Sequence, residues 1–248
     1  MIEWQDDALV LAAHPHGETS AVVTLLCREH GRHAGLVQGG QSRTRAALLQ
    51  PGQQVVAHWR ARLEGQLGNY ALEPAAPYPA AVLDDALALA GLTSACALAE
   101  MVLPEREAHP AVYEGLLALI DTLSTPLWPY AYVRWELGLL REVGYGIDLS
   151  CCAVTGVISD LTHVSPRTGR AVCAVAAEPY LDRLLPLPGF LTGQGDLSDE
   201  AIGNGLRLTG HFLGQAVFAI HHKTLPAART RLAERLASPS LADSFETT

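Results

Sequence analysis

From residue 55 to 63 the chain reads VVAHWRARL, which sets Val56, His58, Arg60 and Arg62 on one side and Val55, Ala57, Trp59, Ala61 and Leu63 on the other. A period of two is the mark of a strand with one buried face. Shorter apolar stretches precede it, ALVLAAH at 8–14, SAVVTLLC at 20–27 and AGLVQGG at 34–40, and GNYALEP follows, running to about Pro74. Turn chemistry separates them: PHGE, then REHGRH with Gly31 able to take a positive φ, then PGQQ at 51–54. Five short strands in under 80 residues predict a small closed or Greek-key barrel.

Past residue 73 the period changes. EPAAPYPAA at 73–81 carries three prolines and reads as a hinge. Beyond it, 81–104 is Ala/Leu-rich with helical spacing and ends at Pro104; 111–124 and 129–145 follow, the latter closing at Gly144. A fourth helix is predicted over 198–222, with Ser198 as N-cap and Asp199 and Glu200 in its first turn. A last amphipathic helix covers 226–237, and the chain ends in a frayed tail. The pattern predicts an α+β protein. Residues 1–78 form a five-stranded barrel of the OB type, 79–240 a mainly helical domain, and 241–248 a flexible tail.

Of the 248 residues 49% are hydrophobic and 17% charged, which excludes a disordered chain. No apolar run reaches about 18 residues, so no membrane span or membrane partner is expected. The N-terminus carries acids where a secretory signal is basic. Five scattered cysteines are no disulfide framework and point to a reducing cytoplasm. A net charge of −9 argues against a nucleic-acid partner until its distribution is read. Between 28 and 62 lie Arg28, Arg32, Arg43, Arg45, Arg60 and Arg62 against one acid, Glu29. Residues 73–248 hold 20 of the 26 acids, so the barrel carries a basic patch on an acidic molecule. The stretch GGQSRTR at 39–45 has no lysine for a Walker A loop; as a glycine-hinged loop it suits capture of a polyanion backbone through Arg43 and Arg45. Trp59 and Tyr70 are candidates for stacking bases, Trp59 equally for the core.

One further motif bears on metal chemistry. Counting from Cys152 in CCAVTG, the four slots of a zinc ribbon fall at Cys152, Thr155, Cys173 and Ala176. Two thiolates cannot close a tetrahedral site, and rescue would need Cys151 or His163 to swing in. The segment at 148–180 is therefore read as a degenerate zinc-ribbon-like insert, without bound zinc, held by packing of Val154, Val157, Leu161, Val172 and Val175. The pairs His14/His16 and His221/His222 have no third ligand beside them, and Asp84–Asp85 reads as a helix start. No hydrolase, metalloprotease or dinucleotide fingerprint is present, so no enzymatic activity and no cofactor are expected.

The order of segments resembles the RecO family of recombination mediators. HGETS in the first turn, GLVQGG, LQPG and ELGLLREVGYGIDL occur in the family's order, and the likeness runs from about residue 8 to 222. It implies an N-terminal OB barrel joined to a helical domain that often carries a four-cysteine zinc site. Cys152 and Cys173 match its first and third ligand positions. It also implies binding of single- and double-stranded DNA, annealing of complementary strands, and work with single-stranded-DNA-binding protein and RecR to load recombinase. A cytoplasmic, nucleoid-associated bacterial location goes with that. In the family the helix matching RWELGLLREVGY helps receive the acidic, hydrophobic C-terminal tail of single-stranded-DNA-binding protein. Arg134 and Arg141, seven residues apart on one face, are the candidates for its carboxylate, the alternative being pairs with Glu136 or Glu142. Two rival readings stay open: an OB-type RNA-binding module, and a protein-binding adaptor that recognises acidic tails without holding DNA.

Overall fold

The computed structural model describes residues 1–63, 65–195, 197–218 and 224–237. The chain divides into two compact units, Met1–Val143 and Gly144–Thr248.

The first unit opens with a closed barrel. Its strands are β1 (Ile2–His16), β2 (Ser20–Cys27), β3 (Gly31–Val37), β4 (Gln54–Ala61) and β5 (Asn69–Pro74), with a short helix α1 (Arg43–Leu48) between β3 and β4. The order around the barrel is β1-β2-β3-β5-β4, closed by β4 on β1. All pairings are antiparallel except β3 with β5, which meet in parallel at Leu36 and Asn69. This is the expected OB-type barrel, with two differences.

The first strand starts six residues earlier than its apolar core suggests. Its first half pairs with β4, from Ile2↔Ala61 to Leu9↔Gln54, and its second half with β2. An irregularity between Val10 and Ala12 lets one strand serve both neighbours. The early half escapes a hydrophobic reading because Asp6 points inward and is buried. Its carboxylate accepts the Glu29 and His30 main-chain N–H groups at 2.9 and 3.0 Å and lies 2.8 Å from His30 Nδ1. The second difference is GGQSRTR. Rather than an open loop, it turns after Ser42 into α1, where Arg43 and Arg45 begin a run of good helix formers.

Val10, Val23, Leu25, Val55, Ala57, Trp59 and Tyr70 fill the barrel. Burying a Val or Leu side chain contributes about 1.5–3 kcal/mol. On β4 the alternation holds: Val55, Ala57, Trp59 and Ala61 are buried while Arg60 is exposed.

The expected helix over 81–104 is split. α2 (Ala81–Asp84) ends at Asp85, which caps α3 (Ala86–Val102) by accepting the Leu87 and Ala88 N–H groups at 2.7 and 3.2 Å. α4 (Pro110–Thr122) and α5 (Trp128–Glu142) complete the unit. α3 meets the barrel at Cys96, whose thiol donates to Val10 O, and meets α5 through Ser94 and Tyr132, their hydroxyls 2.6 Å apart.

The second unit holds a small sheet of β6 (Leu161–Val164), β7 (Ala171–Cys173) and β8 (Leu185–Pro186), in the order β7-β6-β8. A short α6 (Ala174–Ala177) follows β7; α7 (Asp199–Phe212) and α8 (Ala227–Ala237) come later. Ser198 caps α7 by accepting the Ala201 N–H at 3.1 Å, and a π-helical turn at Leu213–Phe218 extends it. The end of the helix expected to 222, with His221 and His222, and the tail 241–248 lie outside the described residues. Among the described residues no helix is long and apolar enough to cross a membrane.

Candidate nucleic-acid interface

An open groove of about 700 Å³ runs over the barrel wall made by β1, β4 and β5. Its lining includes Gln5 and Glu3 of β1, His58 and Arg60 of β4, Asn69 of β5, and Arg45 from α1. The outward face of β4 places His58 and Arg60 there by its period of two, and α1 brings Arg45 over them. Arg45 Nη1 donates to Gln38 O at 3.0 Å, which fixes the side chain's direction. Opposing charge is present as well: Glu3 faces Arg60 in register, and Glu73 Oε1 lies 3.8 Å from His58 Nε2.

The six arginines therefore separate. Arg45 and Arg60 share the groove; Arg43 is exposed on α1, and Arg62 is exposed just past β4. Arg28 is placed elsewhere, ion-paired with Glu114 of α4 and lying over the Tyr113 ring at 5.7 Å. Arg32 is turned inward against the segment after α3. Its Nε donates to Leu103 O at 2.7 Å, and its Nη1 lies 3.4 Å from Glu105. The chain needs Gly31 beside it, since a Cβ there would sit 1.8 Å from Glu107 O at a φ of +65°.

The aromatic candidates are drawn into the barrel, Trp59 in the core place that was its alternative. Trp59 and Tyr70 are each only 4% exposed. Trp59 Nε1 donates to Leu67 O at 2.9 Å, and Gly68 leaves room for its ring, a Cβ there falling 2.4 Å from Nε1. Trp4, which hydrophobic patterning misses, stacks on His30 and on Trp59, with His33 and Tyr70 edge-on to it. The signal for Trp4 is its place opposite Trp59 once 2–7 is read as a strand. Burial, with help from Arg106 and His30, pushes the His33 imidazole down to about 4, so the ring is neutral beside the Tyr70 hydroxyl, 2.9 Å from its Nδ1. Burial raises the Tyr70 phenol, which stays protonated.

A second feature of this unit is an apolar groove of about 330 Å³ between α4 and α5. Ala111, Gly115, Ala118, Ala131 and Gly138 make it deep, Trp135 lines it, and Arg134 stands at it. Arg141 is exposed on the same helix but is not part of the lining. Glu136, expected as a surface partner, is fully buried.

In the second unit the degenerate metal segment has a defined geometry. Cys173 N–H donates to Cys152 Sγ at 3.3 Å, and Thr155 Oγ1 lies 3.5 Å from Cys173 Sγ. Burial opposes ionisation of Cys152, yet the Thr155 hydroxyl and the N–H groups of residues 173, 155 and 154 outweigh it and bring the thiol down to about 6. Ala176 offers no donor atom, and His163 Nδ1 is turned to Thr162 Oγ1 at 3.0 Å. Among the described residues no three His, Cys, Asp or Glu side chains gather around a point. The donor set does not fit tetrahedral zinc. The expected apolar packing is also only half right: Leu161 and Val172 are buried, whereas Val154, Val157 and Val175 face solvent.

Comparison with known proteins agrees along the chain. The family model Recombination protein O N terminal matches residues 1–78, and Recombination protein O C terminal matches 83–226. A protein of Rhodospirillum centenum named DNA repair protein RecO is 55% identical over 236 residues, 94% of each chain. The one of Caulobacter vibrioides is 52% identical over 238 residues, 95% of each chain. That of Rhodospirillum rubrum is 51% identical over 251 residues, covering 98% of this chain and all of its own.

Proposed function

The chain belongs to the RecO family of DNA repair proteins, and from that premise we propose that it is a non-enzymatic recombination mediator. It binds single- and double-stranded DNA, anneals complementary strands and helps load recombinase onto DNA coated by single-stranded-DNA-binding protein, with RecR as a partner. A cytoplasmic, nucleoid-associated location accompanies that role. The observation that carries this reading is the meeting of Arg45 and Arg60 on one open groove of an otherwise acidic chain. Trp4, Trp59 and Tyr70 also line the groove, Trp59 and Tyr70 nearly buried and Trp4 half-buried, so its exposed lining is mostly cationic and polar. Such a surface holds backbone phosphates, is indifferent to sequence, and accepts one strand or two. Two strands held against the same cations repel each other less, which favours pairing. Arg43 and Arg62, exposed on α1 and just past β4, are further candidates for phosphate contact.

The test is a titration of labelled single-stranded DNA at several salt concentrations. Removing one cation from the phosphates lowers the slope of log K against log salt by about 0.7, so Arg45→Ala with Arg60→Ala lowers it by about 1.4. An unchanged slope removes the groove from the DNA path. Competition with RNA separates the RNA-binding alternative.

A second surface is favoured by a specific observation, the position of Arg134 at the apolar groove of α4 and α5. A peptide ending in an apolar residue and a free carboxylate matches that chemistry, which fits the tail of single-stranded-DNA-binding protein. The peptide should bind with its terminal carboxylate and bind at least about 10-fold more weakly when amidated or when Arg134→Ala is made, a loss of about 1.4 kcal/mol. Arg141→Ala, outside the lining, should leave the affinity within about 2-fold, well under that step.

A further inference from the structure

At one end of the barrel β1 begins, β2 turns into β3 and β4 leads over to β5, and a cavity of about 370 Å³ lies among these segments. Ile2, Glu29 and Gly65 line it from the three places in turn, and Arg106 reaches it from the segment after α3. Its walls are rings. The Trp4 plane lies 9° from that of His30 and 19° from that of Trp59, and His33 stands edge-on to both tryptophans at 5.0 Å. A barrel mouth of this size, walled by flat apolar surfaces with a few polar groups, has the make-up of a small-ligand pocket. Trp4 and Trp59 also line the basic groove, so the two spaces share a wall. Arg106 is the group that points to an occupant. Its φ is +62°, a left-handed conformation that glycine takes freely and that other residues keep mainly where a site requires it. Bonds at both ends hold it there: its main-chain N–H donates to Arg32 O at 2.8 Å, and its Nη2 donates to Gln66 O at 2.8 Å. The guanidinium is thereby fixed at the cavity, and it makes no ion pair among the described residues.

Resting on the reading of the groove as the path of DNA, we propose that this mouth takes one unpaired nucleotide of a strand lying there, its base against the rings and its phosphate on Arg106. Three arguments select that occupant. A base is flat and apolar on its faces and polar along its edge, which matches ring walls that carry His30 and Glu29 beside them. Glu29 is the one acid in the lining; its carboxylate accepts from a base's exocyclic amino group and repels a second phosphate, so one nucleotide unit fits and a run of phosphates does not. The shared wall places the mouth next to Arg45 and Arg60, so a strand held by its backbone in the groove has a base to spare for the neighbouring space. A base inside a duplex is stacked and paired, and entering a pocket requires that it leave the stack. The groove therefore serves one strand or two, whereas the mouth serves only the unpaired strand. Pairing with a complement withdraws the base, and the annealed product loses a contact that the single strand had. Release then follows annealing.

The experiment titrates the full-length protein with three labelled DNAs: a single strand, an abasic strand of the same length and charge, and a duplex. The base-bearing strand should bind about 10-fold more tightly than the abasic one, the effect of one stacked base. Ile2→Trp, a change at a 40% exposed position that fills the mouth and leaves every cation, should erase that difference while the abasic strand and the duplex bind as before. Arg106→Ala should lower the salt slope for the single strand by about 0.7 and leave that for the duplex unchanged, and Arg106→Lys should restore it. Free deoxyadenosine monophosphate, the same chemistry off the strand, should compete only at millimolar concentration. Should Arg106→Ala fail to fold, Ile2→Trp decides. An abasic strand held as tightly as the base-bearing one, or a difference that survives Ile2→Trp, overturns the proposal and leaves the groove standing. Competition by micromolar monophosphate makes the free nucleotide the ligand and overturns it too. A protein that binds none of the three DNAs fails the groove reading itself, and the proposal with it.

Discussion

The Trp4 indole lies flat on the His30 imidazole, ring centroids 4.0 Å apart and planes 9° from parallel. The Asp6 carboxylate holds His30 in place at 2.8 Å, and Trp59 stacks on Trp4 at 5.5 Å. The first strand is thus locked to the turn before β3 and to β4 by a stack of rings at the basic groove. Trp4→Ala should remove that lock and lower stability by roughly 2–4 kcal/mol, toward the lower part of the range for deleting a large aromatic because Trp4 is only half-buried. Urea unfolding followed by the remaining tryptophans measures it; a loss below about 0.5 kcal/mol, the scale of an inert surface change, contradicts a structural role for the stack.

His33 makes stability depend on pH. Its folded-state value is depressed from 6.5 to about 4, chiefly by burial. Between those values the unfolded chain binds a proton that the folded one does not, so stability rises with pH there. The contribution is complete above 6.5 and is lost progressively as pH falls toward 4. Unfolding at pH 7 and pH 5 should show the lower midpoint at pH 5, and His33→Asn should flatten the difference.

Residues 55–63 announce their strand because the apolar Val55, Ala57, Trp59 and Ala61 alternate with His58, Arg60 and Arg62. The partner strand at 2–7 is hidden, since the inward Asp6 is satisfied by main-chain N–H groups of residues 29 and 30 and by the His30 ring, more than 20 positions away. GGQSRTR reads as a loop because its glycines dominate, although the helix begins at the first residue past Ser42. The six arginines look alike in sequence. What separates Arg28 and Arg32 from Arg45 and Arg60 is the return of residues 103–114 to the barrel, across more than 70 positions of the chain. Only the locally decided part of the site, the outward His58 and Arg60 of β4, can be read from the chain alone.

Asp85 divides what periodicity presents as one helix. Its carboxylate caps α3 through Leu87 and Ala88, two N–H groups with no partner inside the helix. Asp85→Ala should cost about 1 kcal/mol, Asp85→Ser a few tenths, as measured by thermal unfolding. Equal losses for the two variants would mean that charge at this position matters rather than capping.

Arg32 and Arg60 lie on different strands of the same barrel, β3 and β4, and should respond oppositely. Arg32 is 19% exposed in its side chain and donates to Leu103 O, a backbone acceptor left at the end of α3. Removing it strands that carbonyl and the Glu105 partner, so Arg32→Ala should lower stability by roughly 1–3 kcal/mol. Its DNA salt slope should not change. Arg60 is exposed and faces the groove, so Arg60→Ala should alter stability by less than about 0.5 kcal/mol while lowering the slope for single-stranded DNA by about 0.7. Measuring both quantities on both variants separates a cation that fastens the fold from one that meets phosphate. A lowered slope with intact stability for Arg32→Ala would place the DNA path on the β3 side of the barrel instead.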